Sequence, residues 1–151
     1  MTGKHVLAAG LLLVCGTALG VHAAEPAGMV KNSRGLVSIE RAGQTIDAPV
    51  GTTVFAEDKL RTGKDSAVGV ALKDQTLLSA GPNSLLLIDK FVFDSTTHEG
   101  KMRVGVRKGS VVVATGKIAK KTPESVDFYT PTTVLGVRGT EFAIEVAGFE
   151  E

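Results

Sequence analysis

The residues able to do chemistry are few in this chain of 151, and their spacing serves chemistry poorly. His5 and His22 fall at the two ends of an N-terminal apolar segment, so His98, in the polar run Thr96-Thr97-His98-Glu99, is the one histidine beyond it. A general base or a zinc site needs companions, and no second histidine or cysteine stands with His98 to complete one. It reads as a solvated loop residue. Close-set acids occur at Glu57-Asp58 and at Asp89 with Asp94. Paired carboxylates can cleave a glycosidic bond, but in a strand-rich sequence such pairs mark turns and sheet edges. Gly136-Val137-Arg138-Gly139-Thr140 has the glycines of a phosphate loop without its Lys-Ser/Thr ending, and no helical period follows it. Gly136 and Gly139 instead permit a sharp bend or bulge between two strands, with Arg138 folding back onto Glu141 or a backbone carbonyl. No catalytic residue, cofactor or metal ligand is assigned, and the chain is not expected to be an enzyme.

A charge asymmetry is more informative. Between Lys101 and Lys121 lie seven basic residues (Lys101, Arg103, Arg107, Lys108, Lys117, Lys120, Lys121) and no acid. The ordinary explanation is a solvated face balanced by acids on neighbouring strands. The sharper one is a docking stripe of Lys101, Arg103, Arg107 and Lys108 for an anionic partner: an acidic protein surface, lipid headgroups or cell-wall polymer. Nucleic acid is not expected, because the interleaved residues are aliphatic where base stacking wants aromatics. Tyr129 is the only tyrosine and tryptophan is absent, which weighs against carbohydrate binding.

The elements that must carry these residues are strands. Met102, Val104 and Val106 alternate with Lys101, Arg103 and Arg107; Phe142, Ile144 and Val146 alternate with Glu141, Ala143 and Glu145; Val37, Ile39 and Arg41 alternate with Ser38 and Glu40. One wet face and one dry face is the pattern of antiparallel sheets. Ala42-Gly43, Asp74-Gln75, Gly81-Pro82-Asn83-Ser84 and Lys108-Gly109 supply turns, and the last predicts a hairpin between Met102–Arg107 and Ser110–Thr115. Leu85–Ile88 and Val111–Ala114 are continuously apolar, as in doubly buried strands or strands that turn a corner. Only Lys117–Lys121 suggests a short helical turn. The expected fold is all-β: an antiparallel β-sandwich or roll of many short strands in a single domain.

Residues 1–23 read as a signal peptide. Lys4 and His5 precede an apolar stretch from Val6 to Val21, too short and too broken to span a bilayer, and Val21-His22-Ala23 offers a cleavage site. The β domain then runs over 24–147, with 148–151 as a tail. The only cysteine, Cys15, lies within the apolar stretch; lipoprotein anchoring there is the lesser alternative, since Val14 is bulky for the residue before an acylated cysteine. Loss of Lys4 brings the formal charge of +1 to about zero, so no strong long-range steering is expected. The location expected is periplasmic or secreted, with no transmembrane segment in the mature chain.

Asp58-Lys59-Leu60-Arg61-Thr62-Gly63-Lys64-Asp65-Ser66, Asp74-Gln75-Thr76, Gly81-Pro82-Asn83-Ser84, Phe91-Val92-Phe93-Asp94 and the run from Thr130-Pro131 to Gly136-Val137-Arg138-Gly139-Thr140-Glu141-Phe142 together resemble the FecR domain family. The resemblance extends over roughly Ala27 to Val146, with Gln75 where the family usually has glycine. It implies a β-rich periplasmic sensing domain. In the family's iron-dicitrate regulator such a domain takes a signal from an outer-membrane transporter and relays it through a membrane helix to a sigma-factor-interacting segment. Neither relay part is read here, so the expectation is a free-standing binding or sensing module. Its partner would be an unidentified protein of the cell envelope, an outer- or inner-membrane signalling component. The other reading is an envelope-structural or self-associating surface module.

Overall fold

The computed structural model describes residues 24–147; the expected signal peptide, with Cys15, and the tail 148–151 lie outside the described residues. Nine strands come first: β1 (Pro26–Arg34), β2 (Val37–Arg41), β3 (Gln44–Asp47), β4 (Thr53–Phe55), β5 (Lys59–Thr62), β6 (Ala67–Leu72), β7 (Leu77–Ala80), β8 (Leu85–Phe93) and β9 (Gly100–Ala114). A short helix α1 (Lys117–Lys121) and a 3-10 turn at Pro123–Ser125 lead to β10 (Val126–Tyr129), β11 (Val134–Gly136) and β12 (Glu141–Val146). The all-β reading holds. One curled sheet folds over on itself, and its two halves enclose a single core.

The first half runs β4-β1-β6-β7-β9-β12 and the second β3-β2-β5-β8-β9-β10-β11, so β9 belongs to both. Pairing is antiparallel throughout except between β9 and β10, which run parallel because α1 and the 3-10 turn carry the chain back across the sheet. The alternation read from sequence is the alternation of burial. Met102, Val104 and Val106 are wholly buried while Lys101, Arg103 and Arg107 are exposed, and Val111 and Val113 are buried on either side of exposed Val112.

The hairpin expected at Lys108-Gly109 does not form. β9 continues through it for 15 residues, pairing with β8 as far as Lys108 and with β7 and β12 beyond. Gly109 has φ +85, and a Cβ there would collide with Ser84. The positive φ therefore bends the strand from one layer into the other without reversing it. Ser84, 2% exposed, holds the corner: its hydroxyl accepts from Ser110 N–H (3.1 Å) and its own N–H donates to Thr62 Oγ1 (2.9 Å).

Two buried carboxylates fasten distant parts of the chain. Asp74 accepts from Thr76 N–H (3.0 Å), the Thr76 hydroxyl (2.8 Å) and Ile118 N–H (3.3 Å), tying the β6–β7 hairpin to α1. Asp58 receives both Arg41 Nε (2.8 Å) and Nη2 (2.6 Å) together with Phe55 N–H (2.9 Å). Arg41 lies in phase with Val37 and Ile39 on the dry side of β2, which a cation can occupy only with such a partner. That ion pair holds the guanidinium above its usual range, chiefly through the Asp58 hydrogen bond.

Two substitutions test these points. Asp74→Ala leaves Thr76 and Ile118 donors buried without an acceptor and should cost about 2–4 kcal/mol in denaturant unfolding, with Asp74→Asn costing less. Gly109→Ala should cost on the order of 2 kcal/mol or more, from positive φ plus the clash with Ser84, whereas Gly136→Ala, with nothing within 4 Å of the added Cβ, should stay within about 0.5 kcal/mol.

Candidate functional site

The outer face of β8, β9 and β10 gathers most of the stripe residues. Arg103, Gly105 and Arg107 share one face of β9 by their two-residue spacing, and Tyr129 of β10 stands in register with Gly105. Because Gly105 has no Cβ, the phenol ring lies directly against the β9 backbone; any side chain there would strike Tyr129 Cζ and the hydroxyl. The Arg103 guanidinium sits 4.8 Å from the ring centroid. Asp89 occupies a register shift between Ile88 and Lys90 on β8, and that bulge aims its carboxylate across β9. Its Oδ2 is 3.3 Å from Arg103 Nε and accepts from the Tyr129 hydroxyl at 3.4 Å.

The four stripe residues are therefore unequal. Arg103 is held by a carboxylate and an aromatic face. Lys101, Arg107 and Lys108 are exposed and make no ion pair among the described residues. Lys117, Lys120 and Lys121, the rest of the basic run, belong to α1 rather than to β9.

The other candidates stay apart from this face. His98 adopts φ +61 in the turn after β8, where its N–H donates to the Asp94 carbonyl (2.8 Å) and its ring stacks on Phe93 at 6.3 Å. Asp94 caps the same turn, accepting from Thr96 N–H (2.8 Å) and Thr97 N–H (3.1 Å), and these bonds hold its carboxyl below the ordinary range. Glu57, at φ +71, forms the turn before buried Asp58, so this acid pair consists of a turn residue and a clasp. Gly136 ends β11, and Gly139, at φ +154, lies in the connection to β12. Arg138 is exposed and, among the described residues, makes no hydrogen bond or ion pair with Glu141. It borders an open cleft of about 750 Å³ between Pro123-Glu124 and Gly136–Gly139.

Sequence reasoning missed the Asp89–Arg103–Tyr129 cluster. Its signal was faint: a glycine at the centre of an otherwise alternating strand marks a place where another group approaches the backbone, and here that group is Tyr129.

The phenol reports on this cluster. Partial burial, then Asp89, push the Tyr129 pKa above its ordinary value, while Arg107 and Arg103 oppose the rise. The folded state thus favours the protonated phenol. Its contribution to stability is complete below the unfolded value of about 10 and is lost as pH rises through the higher folded value. With no other tyrosine and no tryptophan, phenolate absorbance follows this group alone. Asp89→Asn should lower the midpoint and Arg107→Gln should raise it.

Comparison with known proteins adds one match. No curated protein and no solved structure matches the chain. The family model described as FecR protein matches residues 58–150, from the buried Asp58 clasp through β5–β9 and the parallel return strand to β12. More than half of the chain lies within that match, and the quoted motif segments from Asp58 to Phe142 fall inside it: this chain belongs to the FecR family.

Proposed function

We propose that this chain is a non-enzymatic, exported binding and sensing module of envelope signalling, and that it docks a protein of the cell envelope. The FecR family is one of regulation and signalling. Three acids of this chain serve its structure: Asp58 and Asp74 are buried clasps and Asp94 caps its own turn. Among the described residues no helix is long and apolar enough to cross a membrane.

The observation that carries the proposal is the outer face of β9. Arg103 and Tyr129 pack against Gly105 and Asp89, while Lys101, Arg107 and Lys108 are exposed and make no ion pair among the described residues. A cationic surface of this kind suits an acidic patch on an outer- or inner-membrane signalling component, since complementary potentials orient the partners and favour their docking.

Cross-linking in envelope preparations should capture a partner with the native chain. It should fail with Lys101→Gln/Arg107→Gln/Lys108→Gln, whose affinity should fall about tenfold or more while its melting temperature stays unchanged. Binding should also weaken as salt is raised. Capture unaffected by the triple substitution would rule out the stripe.

A further inference from the structure

The two layers are joined differently along their two sides. On one side the chain itself closes the gap. The connection from β3 to β4 crosses between layers, with Ala48 N–H donating to the Val37 carbonyl (3.1 Å), Val30 N–H to the Thr52 carbonyl (2.9 Å) and Gly51 N–H to the Val30 carbonyl (2.8 Å). On the other side one layer ends at β12 and the other at β11, and among the described residues no strand pairs with the outer edge of either. Inward-facing apolar groups are only partly covered there, although Phe142 packs edge-on against Phe128 at 5.1 Å. Leu135 stands in register with fully buried Phe128 yet is 36% exposed, and Phe142 and Val146, on the core side of β12, are only half-buried.

Ladder geometry identifies the free backbone groups. Thr115 N–H donates to the Thr140 carbonyl (2.8 Å), and Gly81 N–H donates to the Ser110 carbonyl (2.9 Å) on the opposite side of β9. Alternation then turns the N–H and C=O of Phe142, Ile144 and Val146 toward β9 and those of Glu141, Ala143 and Glu145 outward. The residues with free backbone groups are also those whose side chains lie on the outer face: a carboxylate, a methyl and a carboxylate.

We infer that the β12 edge is a docking site for an extended segment of a partner protein that carries Lys or Arg on either side of an apolar–small–apolar centre. Such a segment adds as the next strand of the layer. Its cations stand opposite Glu141 and Glu145, and its apolar side chains enter the seam between Leu135 and the pair Phe142 and Val146. A second copy of this chain does not fit. Antiparallel pairing of β12 on itself about Ala143 sets Glu141 of one copy against Glu145 of the other, like charges directly opposed. The site lies on a different surface from the basic stripe and shares with the proposed function only the premise that the chain is a binding module.

The probe is the blocked peptide Thr-Lys-Val-Thr-Val-Lys-Thr, compared with Thr-Glu-Val-Thr-Val-Glu-Thr, added to protein purified after expression of the full chain. Amide hydrogen exchange read by NMR should show protection appearing at Glu141, Ala143 and Glu145 with the lysine peptide. The glutamate peptide should bind about tenfold more weakly, and Glu141→Lys/Glu145→Lys should reverse that preference with exchange at Phe142 and Ile144 unchanged. Ala143→Pro, which removes an outward-facing donor and no ladder bond to β9, should abolish binding of either peptide. Three results would overturn the inference: no new protection at these amides, equal affinity for the two peptides, or protection already present without peptide. A partner still captured through Arg107 and Lys108 while β12 stays unprotected would defeat this inference and leave the proposed function standing. Peptide protection with no stripe-dependent capture would do the reverse.

Discussion

A single strand shared by two layers governs this fold. β9 forms a wall of the core with its first half, turns at Gly109, and forms part of the facing wall with its second half. The bend needs a residue that accepts positive φ and has no side chain on the side of Ser84, and it needs hydrogen-bond partners for the groups exposed where the ladder changes neighbour. Ser84 and Thr62 supply these partners from inside the corner, with the Thr62 hydroxyl donating to the Gly81 carbonyl at 2.6 Å. Two later strands take their positions directly from β9, β10 from its first half and β12 from its second, and β11 follows through β10. A one-residue slip at the corner would turn the side chains of one layer inside out, which is why the geometry there is so tightly specified.

The segments that carry the FecR resemblance have a common physical role in this structure. Asp58, Thr62, Ser66, Asp74, Thr76 and Ser84 are all buried polar residues, and each is bonded to a backbone group in another element or in its own turn. Ser66, for example, accepts from Leu36 N–H at 2.8 Å, and the Thr76 hydroxyl accepts from Gly116 N–H at 3.1 Å. A domain of short strands has many chain ends whose N–H and C=O groups have no ladder partner, and burial of such groups is costly unless a side chain reaches them. These residues are the partners. The motif segments from Asp58 to Ser84 therefore record how the corners are closed, and the surface on which a partner would settle lies on β9 and at the β12 edge, which the run from Thr130 to Phe142 reaches.

That surface has two contrasting parts. On β9 the cations face outward from a stiff platform built of Gly105, Tyr129 and Asp89. On β12 the carboxylates flank an edge whose backbone groups point to solvent. The two regions lie on opposite sides of the bend in β9, so both are positioned by the same corner. Residues ahead of the family match are equally part of the unit, since β1 pairs with β4 and β6, and β2 with β5.

Much of this was legible in the residues themselves. Alternation determined which side is wet in the strands around Val37, Met102 and Phe142, though not in the continuously apolar Val111–Ala114, where exposed Val112 carries no polar mark. The small and turn-forming residues placed most chain reversals. The helical turn at Lys117–Lys121 and the basic face of β9 were equally visible. Long-range pairing was not. Lys108-Gly109 carries the same local signal whether the strand reverses or bends, and only Ser84, held by Thr62 far back in the chain, selects the bend. Arg41 was legible only as in phase with Val37 and Ile39, and its bond to Asp58 came from the structure. Local sequence decides which faces are buried; the approach of distant segments decides which partner each polar group finds, because that choice rests on contacts that exist only once the two layers have closed on the core.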